Sequence, residues 1–130
     1  MKALDTPVLL EILHGGAAAK ELLRSLRGEE VATTEINLFE LAVLAADGPK
    51  AGREVRETAL LRLRRRITVL PITAEAVREA SRLLRAHSPS EPGSVLVWGA
   101  LAAAGCGEWV TTRPFAPPQR PLPFKVRIAK

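Results

Sequence analysis

The residue best placed for chemistry is Asp5, in the opening stretch "MKALDTPVLLEIL". A short apolar run meets an aspartate, then Thr-Pro, then a leucine-rich helical pattern. A carboxylate at the seam between a first strand and a first helix either caps the helix or belongs to a site. Thr6 suits the N-cap and Pro7 the first helical position, where its missing N–H costs nothing. With the helix start satisfied in that way, the carboxylate of Asp5 is expected to serve a site.

The second chemical feature is basic. Between Arg53 and Arg66 stand six arginines against Glu54 and Glu57, a surplus of four in a chain whose net charge is +5. Arg62 and Arg66 are four apart and repel on one helical face unless an anion lies there. Arg62, Arg65 and Arg66 are therefore candidate contacts for RNA phosphates or an acidic protein segment, the plain alternative being a solvated face. No aromatic residue interleaves with them, so base stacking is not indicated.

Other reactive types carry less. His14 and His87 each end a helix, where a cation suits the dipole, and neither has a partner at zinc-ligand spacing. Cys106 is the only cysteine. It excludes an internal disulfide and reads as a buried structural thiol. There is no glycine-rich phosphate loop.

The elements that must position Asp5 follow from pattern. "KAL" is a short buried strand, "VLLEIL" a helix closed by "HGG", and Ala17 to Leu26 a second, amphipathic helix. Glu29 to Thr34 gives strand two, its threonines capping a helix through "EINLFELAVLAA" to Gly48. Pro49 opens a long charged helix, and Ile67 to Ile72 is strand three. Thr73 caps "AEAVREASRLLRAH", and "SPSEPGS" is a loop. "VLVWGALAAAG" is apolar on nearly every side and so a buried helix. "EWVTT" is strand four. A proline-studded segment from Pro114 to Pro123 leads to "FKVRIA", an edge strand.

Strands alternating with helices predict an α/β fold, three-layered with a mainly parallel sheet, in one domain over residues 1–130. Ligands in such folds bind beyond the carboxyl ends of the strands, where Asp5 should lie. Hydrophobic content of 47% argues against disorder. The longest apolar stretch, Ser94 to Cys106, is too short to span a bilayer, and no signal peptide is recognisable. A cytoplasmic protein without a membrane is expected.

"LDTPVLLEIL", "ATTEINLFEL" and "VLVWGALAAAGCGEWVTTRPF", in this order and spacing, resemble the PIN domain, most closely the VapC toxins of toxin–antitoxin pairs. The resemblance implies a cluster of three or four acids that holds Mg²⁺ or Mn²⁺ for endonucleolytic cleavage of RNA. It also implies a homodimer and a small antitoxin partner. In such a site the metal activates water and offsets phosphoryl charge as the phosphodiester is hydrolysed, and magnesium is held by a few hard carboxylate oxygens.

On this resemblance Asp5 and Glu40 are the first two catalytic, metal-holding acids, with Glu35 an alternative to Glu40. Thr6, Thr111 and Arg113 stand at supporting or substrate-contacting positions. The third acid would fall at Gly93 and the fourth near Arg113, so half of the family cluster is replaced. The chain has only two aspartates, Asp5 and Asp47, so no other aspartate can be slid in. Glu91 and Glu108 are the remaining acids near the lost positions. Two readings result: a metal-dependent endoribonuclease by descent with weakened activity, or an inactive PIN-fold protein that binds RNA or a protein partner. In the second, Arg113 forks onto Asp5 and Glu40 and neutralises them.

Overall fold

The computed structural model describes residues 1–87, 92–113 and 121–129. Its strands are β1 (Lys2–Leu4), β2 (Val31–Thr34), β3 (Thr68–Leu70), β4 (Glu108–Thr111) and β5 (Lys125–Ile128). Its helices are α1 (Thr6–His14), α2 (Ala17–Ser25), α3 (Glu35–Ala46), α4 (Arg53–Arg66), α5 (Ala74–His87) and α6 (Pro92–Ala103). The strands form one sheet in the order β3-β2-β1-β4-β5, with every neighbouring pair parallel. This is the expected α/β three-layer arrangement.

Side-chain alternation along the strands builds two cores. Ala3, Ala32, Leu70 and Trp109 point into a cluster with Ala80, Leu83, Val97, Trp98 and Leu101 of α5 and α6. Leu4 and Val110 point the other way, to Val8, Leu9, Leu38, Leu41 and Leu63 of α1, α3 and α4. Connection handedness explains the division. From β1 the chain steps outward through β2 to β3, then crosses back to β4 on the far side of β1. Right-handed crossovers taken in opposite directions leave their helices on opposite faces. The order reverses between β1 and β4, so the switch point lies at the carboxyl ends of those two strands.

Several boundaries differ from expectation for local reasons. Asp5, not Thr6, is the N-cap of α1: its backbone is extended and its side chain accepts the Thr6 N–H. Thr6 is the first helical residue and Pro7 the second. The charged helix α4 starts at Arg53 and not at Pro49, because Gly52 takes a left-handed φ of 82° before it. Strand β2 begins at Val31 and β3 covers only Thr68–Leu70, ahead of Pro71. Helix α6 begins at Pro92, inside the stretch read as a loop, since proline is well suited to a first helical turn. The rest of that loop, with Glu91, and residues 114–120 of the proline-rich segment lie outside the described residues. Among the described residues, no helix is long and apolar enough to cross a membrane.

Helix α6 is packed against α5 through Gly99. A Cβ at Gly99 would overlap the Ala76 carbonyl and stand 2.7 Å from the Ala80 backbone nitrogen. Gly99→Ala removes a helix-interior glycine, a gain of about 1 kcal/mol. It also overpacks a backbone contact that cannot yield as a flexible side chain would, which puts the cost in the upper part of the usual range, at about 2–3 kcal/mol. The clash should win. A urea denaturation of Gly99→Ala is expected to read a net loss of about 1–2 kcal/mol, and unchanged or raised stability would contradict this helix contact.

Candidate functional site

Asp5 follows the last residue of β1, and its N–H donates to the Val110 carbonyl of β4 at 2.9 Å. Register pairs Leu4 with Val110, so one residue further along the two strands stand Asp5 and Thr111. Both are buried, at 3% and 0% exposure. The Thr111 hydroxyl donates to Asp5 Oδ2 at 2.7 Å. Asp5 Oδ1 accepts from the Thr6 N–H at 2.9 Å and from Asn37 Nδ2 at 3.2 Å. The cap and the site are thus the same carboxylate.

Asn37 was not singled out by sequence reasoning as a site residue. It is 1% exposed on α3, one turn before Glu40. Its amide also donates to Thr6 Oγ1 at 3.0 Å, and its carbonyl accepts from the Thr34 hydroxyl at 2.7 Å. Thr34 in turn caps α3 by accepting the Asn37 N–H at 3.2 Å. The signal was a lone amide in a largely apolar helix, since such a group must find partners when buried.

Arg113 closes the arrangement from the segment after β4. Its Nε lies 3.5 Å from Asp5 Oδ2 and its Nη2 lies 3.5 Å from Glu40 Oε2. Its own backbone N–H donates to Thr111 Oγ1 at 3.1 Å. The Arg113 and Glu40 side chains are about two-fifths exposed, whereas Asp5 is nearly inaccessible. Asp5, Glu40, Thr6, Thr111 and Arg113 are therefore brought to one rim, joined by Asn37.

The other candidates are elsewhere or uncovered. Glu35 is held by Arg64, which donates to its two carboxylate oxygens at 3.1 and 2.8 Å. Glu108 lies at the amino end of β4 and faces Lys2 at 3.7 Å, with Glu29 on the same ammonium at 2.8 Å. That is the opposite end of the strands from Asp5, which removes Glu108 as a substitute acid. Gly93 is exposed, and a Cβ there would meet open space. Arg62, Arg65 and Arg66 are exposed on α4 and share no hydrogen bond or ion pair with the rim residues among those described. Arg62 and Arg66 instead flank a groove of about 400 Å³ floored by Leu4, Ile12, Leu13 and Leu63. Cys106 is buried, and desolvation pushes its thiol above the ordinary range, which suits a structural thiol and not a nucleophile.

A model of the PIN domain matches residues 2–106. The chain belongs to the PIN domain family. Solved structures with the same fold include the DNA-bound VapBC from Salmonella typhimurium, at 18% identity and a TM-score of 0.77, covering 99% of this chain and 98% of that one. VapBC-5 from Mycobacterium tuberculosis is 22% identical over 98% of this chain and 97% of its own, with a TM-score of 0.69. VapC20 from the same organism, described as a sarcin-ricin loop cleaving toxin, is 20% identical with a TM-score of 0.64, covering 84% and 87%. No curated protein sequence matches the chain.

The divalent metal expected of PIN domains can be tested against the donors present. A carboxylate offers about four lone-pair directions. On Asp5, three take hydrogen bonds from Thr6, Asn37 and Thr111, and the guanidinium of Arg113 stands over Oδ2. Among the described residues, no three His, Cys, Asp or Glu side chains gather where they could hold a metal. The donor set at this rim is two carboxylates already bridged by a cation. It does not fit a tightly held divalent ion.

Asn37→Leu should cost about 2 kcal/mol in urea denaturation, because it strips buried donors from Asp5 and Thr6. Glu40→Gln, at a half-exposed position, should stay within about 0.5 kcal/mol. Equal costs for the two would contradict a buried network centred on Asp5.

Proposed function

We propose that the chain is the toxin-side member of a toxin–antitoxin pair, an endoribonuclease by descent in which metal-dependent cleavage is attenuated and binding dominates. The observation that carries this is the Arg113 guanidinium spanning Asp5 and Glu40, and the motif resemblance, which sets Gly93 where a third acid would fall, supports it. Asp5 and Glu40 are the surviving catalytic acids of the fold, and the Mg²⁺ or Mn²⁺ they would once have shared meets a neutralised pair. Thr6 and Thr111 hold the Asp5 carboxylate in place.

RNA is the proposed ligand of the basic helix. Exposed Arg62, Arg65 and Arg66 form a phosphate-contacting strip, and a single strand binds such a strip with strong salt dependence. A small antitoxin is the proposed protein partner. The groove between α1, α2 and α4, apolar in its floor and edged by Arg62 and Arg66, suits an amphipathic segment with acidic flanks. The neighbouring VapBC structures are themselves toxin–antitoxin assemblies, which supports this reading. A homodimer is proposed from the outer face of α3, where Phe39 is 69% and Val43 49% exposed one turn apart.

Fluorescence anisotropy with a single-stranded RNA in EDTA should show binding. Replacing Arg62, Arg65 and Arg66 together by alanine should flatten the log–log salt slope by about 2. Cleavage in millimolar Mg²⁺ or Mn²⁺ should be slow and lost in Asp5→Asn. Absence of binding, or rapid multiple-turnover cleavage, would overturn the reading. For the dimer, Phe39→Asp should convert the protein to a monomer in light scattering, and a mass unchanged from that of the parent would remove α3 as the interface.

A further inference from the structure

We infer that Arg113 is a resident counter-ion, the chain's own substitute for a divalent cation in the acid pocket, and that it keeps Mg²⁺ and Mn²⁺ out of the pocket below millimolar concentrations. This rests on the functional reading above and deepens it.

The geometry is specific. Arg113 is anchored by its backbone to Thr111 Oγ1 at 3.1 Å, and the same hydroxyl donates to Asp5 Oδ2. The start of its side chain is therefore fixed relative to the acid it covers. Its Nε and Nη2 then stand 3.5 Å from Asp5 Oδ2 and Glu40 Oε2, one nitrogen to each acid. A guanidinium presents five donors in a planar fork and does not lose its charge. It meets both carboxylates as a bridging cation would. A divalent ion entering between the acids would have to displace it or lie beside a permanent positive charge, with three of the lone-pair directions of Asp5 already taken by Thr6, Asn37 and Thr111.

The substitution also changes what the pocket responds to. A bound metal can be removed by chelation or replaced by another ion, whereas a side chain cannot. The rim is neutralised without a divalent ion.

The test reads metal binding alone, without RNA or a partner. Free Mn²⁺ is titrated by electron paramagnetic resonance against the parent protein, Arg113→Ala and Arg113→Asp, with folding checked by circular dichroism. The parent is expected to show no saturable site below millimolar Mn²⁺ and no change in melting temperature between Mn²⁺ and EDTA. Arg113→Asp is expected to bind roughly 10- to 100-fold more tightly and to melt higher with Mn²⁺, and Arg113→Ala to fall between. Adding Asp5→Asn to Arg113→Asp should abolish the gain. Tight Mn²⁺ binding by the parent, or no gain in folded Arg113→Asp, overturns the inference. Failure of RNA binding in the earlier experiment leaves these outcomes unaffected, so the two readings fail separately.

Discussion

A buried negative charge at the end of β1 is the constraint on which the rest of the rim depends. An ionised carboxylate removed from water must recover its lost solvation from fixed donors, or its burial costs many kcal/mol. Asp5 recovers it from the first turn of α1, from Asn37 on α3 and from Thr111 at the end of β4. Satisfying one side chain therefore draws three separate elements to one point. The backbone of the same residue adds to this, since its N–H meets Val110 and its carbonyl accepts from Val8 and Leu9. Asp5 ends a strand, starts a helix and supplies the charge of the site.

Topology explains why that point lies where it does. The chain leaves β1 toward β2 on one side, while β4, reached from β3, lies on the other, so the strand order reverses between β1 and β4. The crevice beyond their carboxyl ends is where polar groups can gather without disrupting either core. On β1 and β4 the apolar cluster shared with α1, α3 and α4 ends at Leu4 and Val110, and the polar residues Asp5, Thr6 and Thr111 begin immediately beyond. Thr33 extends the transition by donating its hydroxyl to the Leu4 carbonyl at 2.9 Å. The change from core to site occurs within one residue on both strands.

The fold was readable because its signals are periodic. Alternating strands and helices, an apolar α6 and a proline early in α1 each have one dominant structural cause. Boundaries were less readable where a local and a tertiary demand compete. Thr6 has good capping chemistry, but Asp5 caps more economically because its carboxylate already faces the helix start. Glu35 and Glu108 looked interchangeable with site acids in one dimension, and only the packing of α4 and the direction of β4 assign them to Arg64 and Lys2. Asn37 escaped notice because its role requires knowing that Thr34, Thr6 and Asp5 converge on it from different elements. Asp5, Glu40 and Arg113 were legible only together with the motif resemblance, since their separation along the chain carries no periodicity.

Among these contacts, that of Arg113 with the acids is the loosest and also the most consequential. Its two approaches of 3.5 Å are longer than ideal charge-assisted hydrogen bonds, and two of the three side chains are partly solvated. In stability terms such a bridge contributes little. Its effect on ligand choice does not depend on that contribution. A permanent positive charge within reach of both acids changes which ions the rim can attract, whether or not its contacts are tight. A residue can therefore be marginal for folding and decisive for the chemistry of a pocket, because folding sums over the whole molecule while a cation samples only the field at one place. The buried network around Asp5 and the half-exposed arginine above it divide these tasks. The first holds the carboxylate in position and the second sets what that carboxylate can bind.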